Sequence, residues 1–301
     1  MSGERVTLTD APRYAPTWLE LREPADADAR ARDLLVPLRR QLARTTASRG
    51  TLLIRDLGCG TGSMQRWLAP QLDGPQRWIL QDHDADLLAF ATASAATLSA
   101  DGSRVSVMPR HADLTQLTGG DLLSTSLVTA SALLDLLSRD EIERLVSACV
   151  EAACPALITL SVTGGVDFSP ADPLDAELTA GFADHLRHHV EGRELLGPDA
   201  AAATADAFTR RGWVVVQRPS VWRLGPDSAF GDGRADLTAE WLRGWVPAAA
   251  RHARRAVSPS DGTSYLTRRL DALATGDLRV TIHHSDLLAL PHGATTLLGA
   301  A

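Results

Sequence analysis

The sequence predicts an α/β fold: a doubly wound, mostly parallel sheet of seven strands with helices on both faces. Three observations lead there. Short β-type apolar runs alternate with helix-patterned segments from residue 51 to residue 162, the mark of βαβ units. A glycine cluster, G-C-G-T-G at 58–62, follows the first of those runs at once. No linker-like tract divides the chain, so its 301 residues read as one large domain carrying insertions.

Residues 1–50 are expected to form an N-terminal helical segment, one or two helices such as 25–45, lying over the sheet. T-L-L-I-R (51–55) is the first strand and S-M-Q-R-W-L-A-P-Q-L (63–72) the helix after it. Q-R-W-I-L-Q (76–81) is the second strand, and residues 85–98 space their large apolar side chains at helical intervals. S-R-V-S-V-M (103–108) and S-L-V-T-A (126–130) are the third and fourth strands. An amphipathic helix at 139–151 precedes the fifth strand, A-L-I-T-L-S-V (156–162).

Beyond residue 165 the alternation loosens. Helices at 173–191 and 198–211 are parted by the breaker Gly197-Pro198. The run 213–224 is a strand in which Pro219 marks an edge or a bulge. Helices at 236–256 and 263–274 lead to the last strand, L-R-V-T-I-H-H (278–284). The main domain thus spans 51–301, with helical insertions around 166–211 and 230–276 that form a cap over the ligand face. In such sheets ligands lie beyond the carboxyl ends of the strands, where strand order reverses.

Apolar residues make up 45% of the chain and charged residues 22%, which suits a globular protein with a sizeable core. The net charge of -7 argues against a nucleic-acid surface, which needs clustered cations. All 30 basic residues are arginine, and lysine and asparagine are absent, a bias that a GC-rich genome explains. No signal-peptide pattern opens the chain, and no window approaches the ~20 apolar residues that span a bilayer. Cys59, Cys149 and Cys154 form no C-x-x-C pair and read as reduced, buried thiols. A cytoplasmic monomer or homodimer without membrane contact is expected.

In D-L-G-C-G-T-G (56–62) the glycines permit a sharp turn and close approach of the backbone to a ligand. The following helix offers free N–H groups and a positive dipole end. Asp56, two residues before Gly58, would repel a pyrophosphate and attract a cation. A bare strand-to-helix turn is the alternative.

The segment resembles the cofactor loop of the class I S-adenosylmethionine-dependent methyltransferases, whose cofactor carries a sulfonium and an ammonium and no phosphate. The resemblance implies a Rossmann-like fold, S-adenosyl-L-methionine as cofactor and S-adenosyl-L-homocysteine as product. It also implies a cofactor site built from Asp56, Gly58, Cys59, Gly60 and Gly62 at the loop. Asp82, at the end of the second strand, would accept the ribose hydroxyls, with His83 beside it in the cofactor site, although Asp84 suits a helix cap. Asp113 would accept the adenine amine, with the backbone beside it at Ala112 serving the ring. Residues 126–137, which include Ser131, are similar to the strand and loop where the methyl group faces its acceptor. Residues 18–26, 196–200 and 283–291 are similar to a bacterial subset of this family with no assigned acceptor. The shared core covers about residues 50–165 and the last strands, the final one antiparallel. Arg55 is an unusual polar residue before the motif acid; it either reaches the cofactor carboxylate or points to solvent, solvent being slightly favoured.

Methyl transfer requires alignment and exclusion of water, and a base only where the acceptor must lose a proton. His185, His188 and His189 lie on one predicted helix, and His185 is the candidate catalytic residue, against the alternative of a solvated face. No metal site is expected, since H-E-x-x-H is absent. His283 and His284 point to opposite faces of the last strand, so at most one meets a pocket. Trp222, Trp241 and Trp245 suggest an aromatic cage for a cationic amine, though core packing explains them as well. Arg22, Arg223 and Arg243 are candidates for holding an acidic acceptor. The expected activity is methylation of a small-molecule acceptor at oxygen or nitrogen. The competing readings are a dinucleotide-dependent oxidoreductase, a non-catalytic cofactor-binding or scaffold protein, and a methyltransferase acting on a macromolecule.

Overall fold

The computed structural model describes residues 15–190, 192–226, 233–253 and 257–292. Two helices, α1 (Pro16–Ala29) and α2 (Leu35–Arg49), precede β1 (Leu52–Leu57). Then come α3 (Ser63–Leu68), β2 (Gln76–Asp82), α4 (Ala85–Ala93), β3 (Val105–His111) and β4 (Leu127–Ser131). The next elements are α5 (Arg139–Glu151), β5 (Ala156–Ser169), α6 (Asp175–Leu186) and a small hairpin of β6 (His189–Val190) and β7 (Arg193–Glu194). Last are α7 (Ala200–Arg210), β8 (Val214–Leu224), α8 (Gly233–His252), α9 (Pro259–Ala274) and β9 (Arg279–Leu290).

The main sheet has seven strands in the order β3-β2-β1-β4-β5-β9-β8. Only β9 runs antiparallel, pairing with both β5 and β8. Strand order reverses at β1, which is flanked by β2 on one side and β4 on the other. The crevice beyond the carboxyl ends of β1 and β4 is therefore where a ligand of this fold lies.

Three apolar clusters follow from this layout. One packs α5 and α7 on one face of the sheet, around Leu57, Leu134, Val146 and Phe208. A second packs α2, α3 and α4 on the other face, around Ile54, Met64, Trp78 and Leu80. Strands buried on both faces in this way read as continuous apolar runs, as L-L-I and W-I-L do. The third joins α1, α6, α8 and α9 to the outer parts of β5, β8 and β9, around Trp222, Trp245 and Tyr265. This third cluster is the cap.

Several boundaries differ from expectation. The helix expected over 85–98 stops at Ala93, because turn chemistry claims the next segment: Asp101 accepts from Ser99 Oγ at 2.6 Å and from the amides of Ser103 and Gly74 at 3.0 Å each. The helix expected over 173–191 ends at Leu186, and the β6–β7 hairpin takes its place. Residue 191 and the 254–256 end of the expected helix 236–256 lie outside the described residues, as do residues 1–14 of the N-terminal segment. β5 and β9 extend well past their expected ends and carry the cap. Arg55 corrects another expectation. It is buried, donating to Gln81 Oε1 at 3.1 Å and to the Asp121 carbonyl at 2.7 Å, and meets neither solvent nor the ligand cavity.

Between sheet and cap, β5 is kinked by a register shift from Ile158 to Ser161, where Leu160 takes a φ of 57°. The fully buried Asp286 on β9 holds that kink by accepting from the Leu160 amide at 2.7 Å. It also accepts from Ser220 Oγ on β8 at 2.6 Å and from the Ala31 amide at 2.8 Å, before α2. Replacing it orphans three buried donors. Asp286→Ala is expected to lower unfolding free energy by about 3 kcal/mol or more, read as a shift of the urea midpoint. A midpoint within error of wild type would show that Asp286 does not hold these elements together.

Candidate active site

The loop after β1 turns through Gly58, Gly60 and Gly62, with φ of 60°, 53° and 86°. That left-handed backbone is natural to glycine. Space is short as well: a Cβ on Gly58 would lie 2.8 Å from Leu133 Cδ1, and one on Gly60 would lie 3.3 Å from Leu19 Cδ1. The loop is thus clamped between the segment after β4 and helix α1. The Cys59 amide donates to the Gln81 carbonyl at 3.1 Å, and the Gly60 amide to Asp82 Oδ2 at 2.8 Å. Burial pushes the Cys59 thiol well above its ordinary value, so it stays neutral.

Three acids stand at the strand ends in different states. Asp82 is buried, which alone would raise its pKa. Hydrogen bonds from His83 and from the amides of Asp84 and Gly60 outweigh that and hold it below the ordinary value. The same contact raises the pKa of His83. The Asp82 oxygens retain lone pairs for a diol. Asp56 is 1% exposed, and burial pushes its pKa up to about 7, despite a 2.7 Å hydrogen bond from Thr129 and the charge of Arg30. Its second oxygen has no partner. Asp113 caps the turn after β3, accepting from the Thr115 amide at 2.8 Å.

Arg30, at the end of α1, lies fully buried beneath the loop. It donates to Ser63 Oγ at 3.2 Å and Ser131 Oγ at 3.1 Å and rests over Trp67. Burial lowers its pKa, while Asp26, Asp286 and Asp56 oppose that.

A cavity of about 300 Å³ runs from this loop to the cap, within the size range of small-ligand sites. Its loop half includes Asp56, Gly58, Gly60, Asp82 and His83, with Ala112 and Ser131 at the strand ends. The cap half is walled by Trp18, Phe182, Trp222 and Trp241. Its polar groups are Arg22, Asp26, Asp135 and His284.

Residues 54–156 match the family model described as a methyltransferase domain. The chain thus carries a methyltransferase domain of the class I S-adenosylmethionine-dependent kind. No curated protein matches it. Among solved structures, the methyltransferase is similar to the cyclopropane synthase MmaA2 of Mycobacterium tuberculosis at 14% identity, over 83% of this chain and 84% of that one, with a TM-score of 0.40. It is similar to a cyclopropane-fatty-acyl-phospholipid synthase-like protein of Lactobacillus casei at 15% identity, over 90% and 100%, TM-score 0.40. A third is the magnesium protoporphyrin IX methyltransferase of Synechocystis, solved with bound S-adenosylhomocysteine, at 16% identity over 68% and 88%, TM-score 0.36. Similarity this distant carries no information about the acceptor.

The methyltransferase brings most of its expected cofactor residues to one cavity. Gly62 and Asp113 are exceptions: Gly62 does not line the cavity and faces Ala91 of α4, and Asp113 does not line it either, its carboxylate being turned to its own cap. Ala112 lines the cavity, but its amide already donates to the Asp82 carbonyl at 3.1 Å and does not stand free for a purine ring. His185 is not among the lining residues either. Its helix presents Phe182 and Leu186 to the cavity, while His185 stacks on His188, centroids 5.4 Å apart, and approaches His252 at 4.8 Å. Burial and those two neighbours lower its pKa. Of the β9 pair, His283 bonds Asp167 at 2.7 Å on the exposed side and His284 lines the cavity. Trp222 and Trp245 are core as expected, with Trp241 packed against their cluster, and Trp222 and Trp241 also line the cavity. Among the described residues no cluster of three or more His, Cys, Asp or Glu is placed to hold a metal.

Asp135, Asp26, Trp18 and Arg30 were not singled out from sequence. For Asp135 the signal was its place four residues past β4, in S-A-L-L-D.

The state of Asp56 gives a signed prediction. Its folded pKa, about 7, lies above the unfolded value of 3.8. Between those values the folded state holds a proton that the unfolded state has lost, so stability falls as pH rises through the window. Asp56→Asn removes the loss: it is expected to match wild type near pH 4 and to exceed it at pH 8 by up to about 4 kcal/mol. Urea unfolding of the ligand-free protein at both pH values reads this. Equal stability at pH 8 would mean that burial does not raise Asp56.

Proposed function

We propose that this methyltransferase transfers a methyl group to a small-molecule acceptor, at oxygen or nitrogen, inside the cytoplasm. The single observation that carries the reading is the continuous cavity, with acids and glycines at one end and aromatic rings under the cap at the other. S-adenosylmethionine, when bound, supplies a methyl group activated by its sulfonium. The chain's residues fit it: the loop is a cradle that side chains would fill, and Asp56 keeps one buried oxygen without a partner. Asp56, Gly58, Cys59 and Gly60 hold the methionine end, with Gly62 completing the turn, and a cation there would draw Asp56 into its ionised form. Asp82, already ionised and oriented by Gly60 and Asp84, accepts the ribose hydroxyls, with His83 as its partner. Ala112 borders the adenine and Ser131 stands near the methyl group, while Asp113, turned to its own cap, drops out of the site. The role of general base passes from His185 to a group that lines the cavity.

A dinucleotide would place its pyrophosphate against Asp56 and Asp82, two acids that repel it. A macromolecular acceptor calls for an open basic groove, whereas here α1 and the cap cover the cavity. Among the described residues no helix is long and apolar enough to cross a membrane.

Calorimetric titration tests the reading. S-adenosylmethionine and S-adenosylhomocysteine are expected to bind at micromolar concentration, and NAD not at all. Asp82→Ala is expected to weaken both by ~1–3 kcal/mol, through loss of a buried acceptor, and Gly60→Val to abolish binding. NAD binding alone, or a folded Gly60→Val protein that still binds, overturns it. Silence from all three ligands favours a scaffold.

A further inference from the structure

The cap half of the cavity has an uneven charge balance. Arg22 is the cation there, and it is already engaged by Asp26 through a bidentate contact of 3.0 and 3.2 Å. Its guanidinium also lies over Trp222, whose Nε1 donates to Asp26 Oδ1 at 3.0 Å. Arg22, Asp26 and Trp222 thus form a closed unit with little left for a ligand. His284 carries no charge, since burial pushes its imidazole down to about 3. Asp135 is left over. Apart from its own backbone amide no donor meets it among the described residues, and burial raises its pKa despite that bond and the charge of Arg22. A second polar group is short of partners: His284 is 5% exposed, lines the cavity, and its Nδ1 makes no hydrogen bond.

We propose that the cap half receives an amine on a flat apolar body, with Asp135 as the carboxylate that holds its nitrogen. The inference rests on the cofactor reading above and narrows its acceptor to nitrogen. Three observations point the same way. The unpaired charge is negative, so it attracts an ammonium and repels a carboxylate or phosphate. Asp135, which accepts only from its own amide, and His284 Nδ1 are able to accept N–H bonds, and leaving that capacity unmet beneath the cap is costly. The walls Trp18, Phe182 and Trp241 offer aromatic surface, against which a cation is favoured. Before it can act as a nucleophile, an ammonium must expose its lone pair. Its N–H bond then breaks, the pair stays on nitrogen, and the proton forms an O–H bond with the Asp135 carboxylate. A raised pKa suits that acid to the task. The earlier expectation of an acidic acceptor held by Arg22 is replaced, because Asp26 already occupies that guanidinium.

The test uses the full chain saturated with S-adenosylhomocysteine and titrated by calorimetry with phenethylamine and with phenylacetate, probes that share a ring and differ in charge. The amine is expected to bind at least tenfold more tightly. Asp135→Asn is expected to abolish that preference and weaken the amine at least tenfold while S-adenosylhomocysteine affinity stays at the wild-type value, which also shows that the variant folds. Equal or tighter binding of the carboxylate, no binding of the amine, or an amine affinity indifferent to Asp135→Asn overturns the proposal. If S-adenosylhomocysteine itself fails to bind wild type, the cofactor reading falls first and this one with it.

Discussion

A carboxylate with no contact to water organises this molecule. Asp286 lies in the interior between sheet and cap, and its two oxygens collect donors from β5, β8 and the segment before α2. Its burial is tolerable because all three donors converge on it and the charge of Arg30 is near. Arg30 in turn is a buried cation surrounded by Asp26, Asp56 and Asp286 and fixed by Ser63 and Ser131. Neither charge could be buried alone without a large desolvation cost. The N-terminal segment, the glycine loop, the end of β4 and the kinked outer strands are therefore assembled together.

The same logic shapes the cavity. Helix α1 supplies Arg22 and Asp26 to the cap half and Glu23 to an ion pair with Arg66 beside the loop. Leu19, from the same helix, abuts Gly60. One short helix thus touches both ends of the cavity. The loop-side acids differ because their partners differ. Asp82 is met by two amides and a histidine and stays ionised, whereas Asp56 has one hydroxyl and pays for its burial with a raised pKa.

What the sequence made legible was local. The strand and helix periods of residues 51–162, the turn through Gly58, Gly60 and Gly62, and the acid ending β2 all depend on neighbours a few residues away. The cap was legible only as helical content. Asp26 and Trp222, or Ala31 and Asp286, meet across most of the chain, and no spacing announces such a pair. Arg55 looked solvent-facing because a polar residue next to a motif acid is easily set on the outside; Gln81 and a carbonyl 66 residues away decide otherwise. His185 shares its helix with Phe182 and Leu186, and only the packing of α6 against α8 determines which of them turns toward the cavity.

The outer strands have one more consequence. β8 and β9 pass from the sheet into the cap as an unbroken ladder, paired from Val214–Leu290 at one end to Leu224–Val280 at the other. On that side the cap is a prolongation of the sheet, and tilting it would shear the backbone hydrogen bonds of the β8–β9 ladder. Trp222, Ile282 and His284, which line the cavity from those two strands, therefore form a wall whose position is set by the sheet itself.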